Sequence, residues 1–418
     1  MSSIVSQNTF AFVLGREREL ALEELKAVFH RFDFCFDVTS VSGNVVFANV
    51  DKSEEDVAKL IEVLAGVVKI FQLIPGPNST KTDLAKAIAE CRPNKSGKTD
   101  FGISSYTRKL SQWGVNSLGL EVKKELKKAG INSRFVALRD SNELSSIVVL
   151  KNKLIDGGIE IGLFESGVGA LIALNNPEEW GERDYGKPAG DRYSGMVPPK
   201  LARMLVNIAT EENSLALKNE NIEIKSVVID PFCGSGNILI EALLLGYDVA
   251  GSDVSSKAVL DTKQNLEWLA GRFPDLASSI IDIEQIDATT NELLNWLSSK
   301  AESLKLKSFI ITEPYLGQPK KFKPSLNSAR GEYRKIKDIY IKFLQNIKKL
   351  SDANVLALSN LCLVFPLVET SDTNRFDLFE ESVDEIKKLG YIDIRPPLIY
   401  GRDYQVVKRK IVFLGNKS

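Results

Sequence analysis

The sequence has very little histidine and few cysteines. His30 is the single histidine among 418 residues, and Cys35, Cys91, Cys233 and Cys362 stand far apart without paired spacing. Since zinc sites and histidine-assisted nucleophiles need these residues in pairs or clusters, the sequence predicts no metal site and no histidine-based catalysis. Any chemistry must then depend on carboxylates, backbone groups, aromatic rings or a cofactor.

Excess charge and long apolar runs are also lacking. The chain has 54 Lys and Arg against 55 Asp and Glu, for a formal net charge of -1. This balance argues against unspecific coating of nucleic acid but leaves room for a local basic face. We find neither an apolar run long enough to span a membrane nor a signal-peptide pattern, and we therefore expect a cytoplasmic protein without membrane contact.

Segments rich in glycine, proline and polar residues divide the chain into parts. A turn-rich connector at 74–80 and a longer polar stretch near 175–198 mark the two divisions. The sequence therefore predicts a first small α/β unit over 1–75, a second over 76–174, a linker over 175–198 and a larger unit over 199–418.

The first two units show short patterns of both kinds of secondary structure. Apolar spacing predicts strands at 10–15, 40–50, 100–106, 145–152 and 158–164, and helices at 16–29, 54–68 and 118–130.

From Pro199 onward, strands alternate with helical segments of ten or more residues. After a helix at 200–209, the predicted strands cover 223–230, 248–254, 285–289, 308–314, 354–360, 391–396 and 409–415. Such alternation is typical of an α/β fold with a largely parallel, doubly wound sheet.

A glycine-rich turn follows the first strand of this larger unit, in the stretch VVIDPFCGSGNILIEALL at 227–244. Gly234 and Gly236 flank Ser235, so the backbone can approach a bound group without interference from Cβ atoms. In an open α/β sheet, ligands bind beyond the carboxyl ends of the strands, at helix N-termini. On its own, the Gly-x-Gly pattern fits a tight strand-to-helix turn equally well.

Two further strand ends carry acids that favour ligand binding. Asp253 lies 23 residues after Asp230, close to the spacing of about 20 residues at which a carboxylate holds ribose hydroxyls. The next strand end supplies Asp287 and Ala288, which could flank an adenine. Because the third glycine of dinucleotide sites and the Gly-Lys-Ser/Thr of phosphate loops are missing, we predict an adenosine-type ligand without a pyrophosphate.

Several stretches together resemble one enzyme family. DPFCGSGNILIEAL resembles motif I of the S-adenosylmethionine-dependent RNA methyltransferases that modify guanine N2, and GSDVSSKAVLDTKQNL is similar to their second motif. RYSGMVPPKLARMLVNIA resembles the entry to their catalytic domain, and IYGRDYQVVKRKIVFL their last hairpin. Over its whole length, the chain resembles the tRNA guanosine-10 N2-methyltransferase family of archaea and eukaryotes.

The resemblance implies a fold and a set of binding residues. Residues 1–75 would form a ferredoxin-like α+β domain, 76–174 a THUMP domain that binds the tRNA acceptor end, and 199–418 a Rossmann-like methyltransferase domain whose last hairpin is antiparallel. S-adenosylmethionine would be the cofactor and tRNA the partner, with a small activator subunit left open. The residues expected to contact the cofactor are Asp230, Pro231, Phe232, Cys233, Gly234, Ser235, Gly236, Asn237, Asp253, Val254, Asp287 and Ala288.

Related enzymes place Asp/Asn-Pro-Pro-Tyr/Phe at the end of the fourth strand, where this chain has SFIITEPYLGQP at 308–319. In one register, Glu313 takes the acidic position and Leu316 the aromatic one; in the other, Thr312 is the acceptor and Tyr315 the aromatic. We favour a hybrid in which Glu313 accepts from the reacting amine and Tyr315 stacks on the guanine. Pro314 lies between them, and the carboxylate would orient the amine and stabilise its charge.

Two runs of basic residues mark the expected RNA contacts. Residues 318–350 and 101–139 both hold many Lys and Arg but only two acids each. Tyr106 and Trp113, in the second run, could stack on bases or pack within the fold. The residues chosen as RNA contacts are Arg108, Lys109, Lys123, Lys127, Lys320, Lys321, Lys323 and Arg334.

Three functions are therefore open. The first is methylation of guanine N2 in tRNA, the second methylation of adenine N6 or cytosine N4 in DNA after base flipping, and the third RNA binding without catalysis by a degenerate active site.

Overall fold

The computed structural model describes residues 8–76, 80–92, 97–190, 196–211, 226–300, 307–372 and 374–416. Parts of the predicted connector at 74–80, of the linker at 175–198 and of the strand at 223–230 lie outside these ranges. The chain divides into two compact units, Met1–Glu179 and Trp180–Ser418.

One mixed sheet of eight strands organises the first unit, in the order β2-β3-β1-β4-β8-β7-β5-β6. The strands are β1 Asn8–Leu14, β2 Phe36–Ser42, β3 Val45–Val50, β4 Val67–Ile74, β5 Thr99–Ser105, β6 Ser133–Val136, β7 Ile159–Phe164 and β8 Gly167–Leu174. The helices are α1 Arg18–Arg31, α2 Glu54–Lys59, α3 Lys81–Cys91, α4 Gln112–Lys128 and α5 Ser146–Lys151.

Alternate side chains of this sheet face two separate cores. On β1, Phe10 and Phe12 pack into the core that contains α1, whereas Ala11 and Val13 pack into the core that contains α3 and α4. Because β4 pairs with β8, the sheet runs without a break from the predicted first domain into the second. The division into ferredoxin-like and THUMP domains remains a prediction.

Three local expectations in this unit are wrong. The strand predicted at 40–50 belongs to a hairpin of β2 and β3 that turns at Gly43, where φ is +62°. The helix predicted at 54–68 ends early, and β4 begins at Val67. The strand predicted at 145–152 is helix α5, because the Ser145 side chain accepts a hydrogen bond from the Val148 amide and caps a helix there.

The second unit has a mixed sheet in the order β11-β10-β9-β12-β13-β17-β15, with β14 paired to β13 and β16 to β17. The strands are β9 Val227–Asp230, β10 Asp248–Asp253, β11 Ile280–Gln285, β12 Lys307–Thr312, β13 Ala357–Glu369, β14 Arg375–Asp377, β15 Tyr391–Asp393, β16 Leu398–Tyr400 and β17 Val407–Asn416. The helices are α6 Pro177–Gly181, which crosses the boundary between the units, α7 Pro199–Ala209, α8 Asn237–Leu244, α9 Ser256–Arg272, α10 Asn291–Ser299, α11 Leu326–Asp352 and α12 Val383–Lys388.

The α/β class predicted from the sequence is confirmed, and both sheets are mixed. In the second unit β9 to β13 are parallel, and β17 is antiparallel to β13, β15 and β16. The chain order reverses at β9, which has β10 on one side and β12 on the other. Such a switch point is where ligands bind in open α/β sheets. The carboxyl ends of β9, β10, β11 and β12 therefore share one edge.

The strand predicted at 285–289 is misplaced. β11 ends at Gln285, so Asp287 and Ala288 lie in the turn that precedes α10 rather than on the strand.

Candidate functional site

The glycine-rich turn after β9 adopts the conformation that its glycines allow. Gly234 and Gly236 have φ angles of +55° and +81°, in the left-handed region that favours glycine. A Cβ at Gly236 would lie 3.0 Å from Thr262 Cγ2, whereas one at Gly234 would point into open space. The turn is therefore packed closely beneath Gly236 and open beside Gly234.

The acid at the end of β10 lies against this turn. Asp253 Oδ2 accepts a hydrogen bond from the Gly234 amide at 3.0 Å, and Oδ1 accepts one from the Ser255 amide at 2.9 Å. Each carboxylate oxygen keeps a second lone pair for a ligand. Val254, the next residue, is largely exposed. The structure thus brings together the glycine turn and the acid that the sequence paired with it.

Residues of the predicted linker also contact the turn. The side-chain Nδ2 of Asn237 donates to the Val197 carbonyl at 2.6 Å, and Lys187 donates to Asn237 Oδ1. Asn265 bridges the carbonyls of Ser235 and Ala189, at 2.8 and 2.7 Å. The side chain of Asn237 is therefore buried and engaged inside the fold, although the sequence placed it among the cofactor contacts.

Cys233, within the turn, is buried, and burial raises the pKa of its thiol well above the usual range. A thiol that stays protonated is a poor nucleophile. This environment argues against a nucleophilic role for the Cys233 side chain.

Asp230 and Thr312 join the ends of β9 and β12. The Thr312 hydroxyl donates to Asp230 Oδ1 at 2.5 Å, and the Phe232 amide donates to the same oxygen at 3.2 Å. Both side chains are buried, and burial raises the pKa of Asp230 to about 7. The Thr312 side chain is fully buried, and this burial disfavours the register in which Thr312 accepts from the substrate amine.

The raised pKa of Asp230 predicts a pH effect on stability. An aspartate in an unfolded chain titrates near pH 4, so folding disfavours ionised Asp230 once the pH exceeds that value. The contribution of Asp230 to the free energy of unfolding is fully present below about pH 4. It is lost as the pH rises through about 7, a change of roughly 4 kcal/mol. We expect the free energy of unfolding of the parent, relative to Asp230→Asn, to fall across this window in denaturant titrations.

The matched control for that titration is Asp56→Asn. Asp56 is an exposed acid with a lowered pKa, so its contribution changes only at lower pH. The prediction is contradicted if the free energies of unfolding of the parent and of Asp230→Asn change in parallel between pH 4 and 7.

Glu313 follows β12, and an arginine from β17 holds its carboxylate. Arg409 Nε donates to Glu313 Oε2 at 2.5 Å and Nη2 donates to Oε1 at 2.9 Å. Both side chains are largely buried, at 12% exposure for Arg409 and 10% for Glu313. Sequence reasoning missed Arg409. Its signal was faint: Arg409 is the middle one of three consecutive basic residues on the last strand, 96 residues from its partner.

The loop after Glu313 presents an aromatic ring. Pro314 is buried, whereas Tyr315 is 49% exposed. Tyr333 packs against this loop, and its hydroxyl donates a hydrogen bond to the Leu316 carbonyl at 3.1 Å. The contact with the next residue is so close that a Cβ at Gly317 would lie only 2.7 Å from the Tyr333 hydroxyl oxygen. Tyr315 is therefore placed where its ring can contact a base.

The third acid predicted for the cofactor is engaged locally. Asp287 Oδ1 accepts hydrogen bonds from the Thr289 amide and hydroxyl, at 2.9 and 2.7 Å. Ala288 is buried, and its carbonyl accepts from Asn346 at 3.2 Å. This turn leads into α10 at the same sheet edge as Asp253 and Asp230. Within the described ranges, no group of three or more His, Cys, Asp or Glu is placed to hold a metal ion.

The predicted RNA contacts fall in both units. In the first unit, Arg108, Lys109, Lys123 and Lys127 are exposed, and Lys109 pairs with Glu165 at 3.0 Å. In the second, the exposed residues Lys321, Lys323 and Arg334 accompany Lys320, which is mostly buried in an ion pair with Glu332. Phe322, between two of these lysines, is 84% exposed.

A basic depression in the first unit escaped sequence reasoning. Its volume is about 260 Å³, and it is lined by Lys98, Asp100, Arg134, Lys151, Asn152, Lys153, Gly157 and Gly158. Four cations from three separate segments thus surround one acid, Asp100, which Arg134 contacts at 2.5 Å. Only the fold shows this concentration of positive charge.

Parts of the chain match known proteins. Residues 169–264 match a family model described as DNA methylase. The chain is 29% identical over 174 residues to the tRNA (guanine(10)-N2)-dimethyltransferase of Methanothermobacter thermautotrophicus, covering 42% of this chain and 40% of that protein. It is 30% identical over 148 residues to the protein of the same name from Methanocaldococcus jannaschii, covering 34% and 36%. The chain thus spans about 40% or less of the length of these two relatives.

Two solved structures align with the chain at low sequence identity. SMU.472, solved in complex with SAH, covers 97% of each chain at 14% identity, with a TM-score of 0.47. The N-terminal domain of human METTL16 in complex with SAH covers 61% of this chain and 88% of that domain at 14% identity, with a TM-score of 0.37.

In the part of the chain that the structure describes, no helix is long and apolar enough to cross a membrane.

The resemblance stated from the motifs is confirmed: this chain has relatives, 27–38% identical over the matched segments, that are named tRNA (guanine(10)-N2)-dimethyltransferases.

Proposed function

We propose that this protein methylates the exocyclic N2 amine of a guanosine in tRNA, at position 10, with S-adenosylmethionine as methyl donor. One observation carries the proposal. The carboxyl ends of neighbouring parallel strands bring Asp230, Asp253 and Glu313 to one edge of the sheet, around the glycine turn. The names of the relatives indicate the substrate.

The residues at this edge fit an adenosyl group. The open side of Gly234 lets a ligand approach the backbone, and Asp253 retains acceptor sites for ribose hydroxyls. Asp287 and Ala288 extend the same edge. When bound, the cofactor supplies a methyl group on a positively charged sulfur.

The catalytic loop supplies orientation rather than strong base catalysis. Glu313 accepts a hydrogen bond from the N2–H group and stabilises the positive charge that develops on nitrogen, and Tyr315 stacks on the guanine. The proton that nitrogen finally loses passes to solvent. Pro314, which is buried and lies between these two residues in the sequence, restricts the loop backbone.

We infer that the first unit binds the RNA, with a ferredoxin-like domain over 1–75, a THUMP domain over 76–174 and a linker over 175–198. The exposed cations Arg108, Lys109, Lys123 and Lys127 support this inference, as does the basic depression. On the catalytic side, Lys320, Lys321, Lys323 and Arg334 would contact tRNA phosphates.

The basic depression gives a quantitative prediction for RNA binding. Each lysine that contacts a phosphate displaces about one counterion, so its loss lowers the salt dependence of binding. We expect Lys151→Gln with Lys153→Gln to weaken tRNA binding and to reduce the slope of log K against log salt by about 2. Filter-binding titrations from low to high salt measure this slope.

The control for the salt titration is Lys26→Gln with Lys59→Gln. These lysines also lie in the first unit, and each pairs with a glutamate on its own helix. If the control variant lowers the slope as much as the test variant does, general charge and not the basic depression governs binding.

The function itself is tested by incubating the whole protein with methyl-labelled S-adenosylmethionine and, separately, with bulk tRNA or duplex DNA. We expect label in tRNA, and nuclease digestion with mass spectrometry should find N2-methylated or N2,N2-dimethylated guanosine at position 10. Label in DNA would instead support the DNA methyltransferase that the DNA methylase model suggests. RNA binding without label would support the non-catalytic alternative.

A further inference from the structure

The ion pair between Glu313 and Arg409 joins two strands that are not neighbours. β13 lies between β12 and β17, with Leu363 opposite Thr312 and Pro366 opposite Arg409. Pro366 comes three residues after Leu363, so Arg409 lies at the level of the third residue after Thr312, where β12 ends. The Arg409 side chain extends across β13 to the carboxylate of Glu313. The guanidinium lies at the same sheet edge as the candidate site.

We propose that Arg409 is a positioning residue that fixes the carboxylate of Glu313 where it receives the reacting amine. The inference rests on the proposed function. Compared with the aspartate or asparagine of the related tetrad, glutamate has one more methylene and one more rotatable bond. A displacement of about 1 Å at a reacting centre is enough to cost on the order of 100-fold in rate. A longer acid at this position therefore needs an additional restraint.

The geometry of the pair supplies that restraint and leaves the acceptor usable. Nε and Nη2 each bond one carboxylate oxygen, the planar two-pronged arrangement that arginine makes and lysine cannot. Each oxygen has two lone pairs, so each retains one for an N–H bond of the substrate. The guanidinium also balances the buried negative charge of Glu313, which would otherwise be costly to bury.

Arg409 is itself held in place. Its Nη2 lies 3.4 Å from the Met196 carbonyl, and its guanidinium carbon lies 5.9 Å from the centre of the Tyr400 ring. The Ser235 hydroxyl in the glycine turn donates to Met196 Sδ at 2.9 Å. The Met196 carbonyl and the Tyr400 ring thus help to fix the guanidinium that holds Glu313.

The test compares variants of the whole protein in methyl transfer to tRNA, at steady state for kcat and KM and in a single turnover for the chemical step. We expect Arg409→Gln to lower kcat by about 10- to 100-fold with little change in KM or in cofactor affinity, and Arg409→Lys to recover part of the loss. In a Glu313→Gln background, Arg409→Gln should cost almost nothing further, because its only catalytic effect passes through Glu313.

Lys410→Gln is the matched control. Lys410 is the next residue on β17, points to the opposite face and pairs with Asp377 and Glu380 at 2.7 and 2.8 Å. It should lower stability without lowering kcat in the folded protein. Parental turnover by Arg409→Gln, or an equal loss in the Glu313→Gln background, would overturn the proposal.

A structural readout separates this proposal from the proposed function. If the parent transfers no methyl to tRNA, the function fails, but crystal structures of the parent and of Arg409→Gln still decide the positioning role. The proposal requires the Glu313 carboxylate to shift or to occupy several rotamers in the variant. An unmoved carboxylate would refute it.

Discussion

Glu313→Gln should lower kcat by about 100- to 1,000-fold, the usual cost of removing one group that stabilises charge in a transition state. Glutamine keeps the length of the side chain but loses the negative charge opposite the developing positive charge on N2. Cofactor affinity, measured by calorimetry, should stay close to that of the parent, because Asp253 and the glycine turn do not depend on this charge. Single-turnover rates at saturating cofactor and tRNA measure the loss directly.

Glu313→Asp separates charge from reach. The shorter acid retains the charge but withdraws the carboxylate by one methylene, both from the substrate and from Arg409. We expect it to be slower than the parent and faster than Glu313→Gln. Glu381→Gln, which breaks an exposed pair with Arg330, is the control and should leave the rate unchanged. If Glu313→Gln turns over at the parental rate, the assignment of the amine acceptor is wrong.

Lys69→Met should lower the free energy of unfolding of the first unit by about 3–5 kcal/mol, the range found when one partner of a buried ion pair is removed. Lys69 on β4 and Glu160 on β7 are 2% and 0% exposed, and their charged atoms lie 2.6 Å apart. Lys69 also donates to the Leu144 carbonyl at 2.7 Å, and the Ser104 hydroxyl donates to Glu160 at 2.5 Å. The variant leaves a buried carboxylate without its cation.

The pH dependence of Lys69→Met has a definite sign. Burial already raises the pKa of Glu160, and Lys69 is the main group that opposes this shift. In Lys69→Met the folded-state pKa therefore rises further. Stability of the variant is retained below about pH 4, where Glu160 is protonated in both states, and is lost as the pH rises.

Adding Glu160→Gln to Lys69→Met should restore most of the lost stability, because no buried charge then remains and Ser104 keeps an acceptor. Denaturant titration gives the free energies, and hydrogen exchange at β4 and β7 shows whether both strands weaken together. Lys59→Met, in an exposed pair with Glu55, is the control and should have no comparable effect. A Lys69→Met protein as stable as the parent would contradict the prediction.

Sequence reasoning succeeded where local chemistry determines structure. The turn from Asp230 to Gly236 needs glycines at two left-handed positions, and the spacing to Asp253 follows from one strand-helix-strand repeat. The turn and the position of the second acid could therefore be predicted from the sequence. It failed at 145–152, where apolar branched residues suggested a strand but Ser145 caps a helix. Intrinsic preference is weak over six residues, and a capping hydrogen bond decides the outcome.

Contacts between distant residues were beyond reach from sequence. Nothing near Glu313 indicates that Arg409 will pair with it, because the pairing depends on the register of two strand pairs across β13. The basic depression has the same origin: Lys98, Arg134 and Lys151 come from separate elements, and only the packed sheet brings them together. The roles of individual site residues remain predictions for the variants above.

The place of Arg409 on β17 also determines when the site can be assembled during synthesis. Among the described residues, every other strand of the second sheet precedes β17 in the chain, yet β17 inserts between β13 and β15. A nascent polypeptide on the ribosome therefore contains the glycine turn and Glu313 well before the arginine that restrains the carboxylate emerges. If the proposed function holds, Glu313 lacks its restraint until this late strand has inserted, and methyl transfer by incompletely translated chains should be slow for the same reason as in Arg409→Gln.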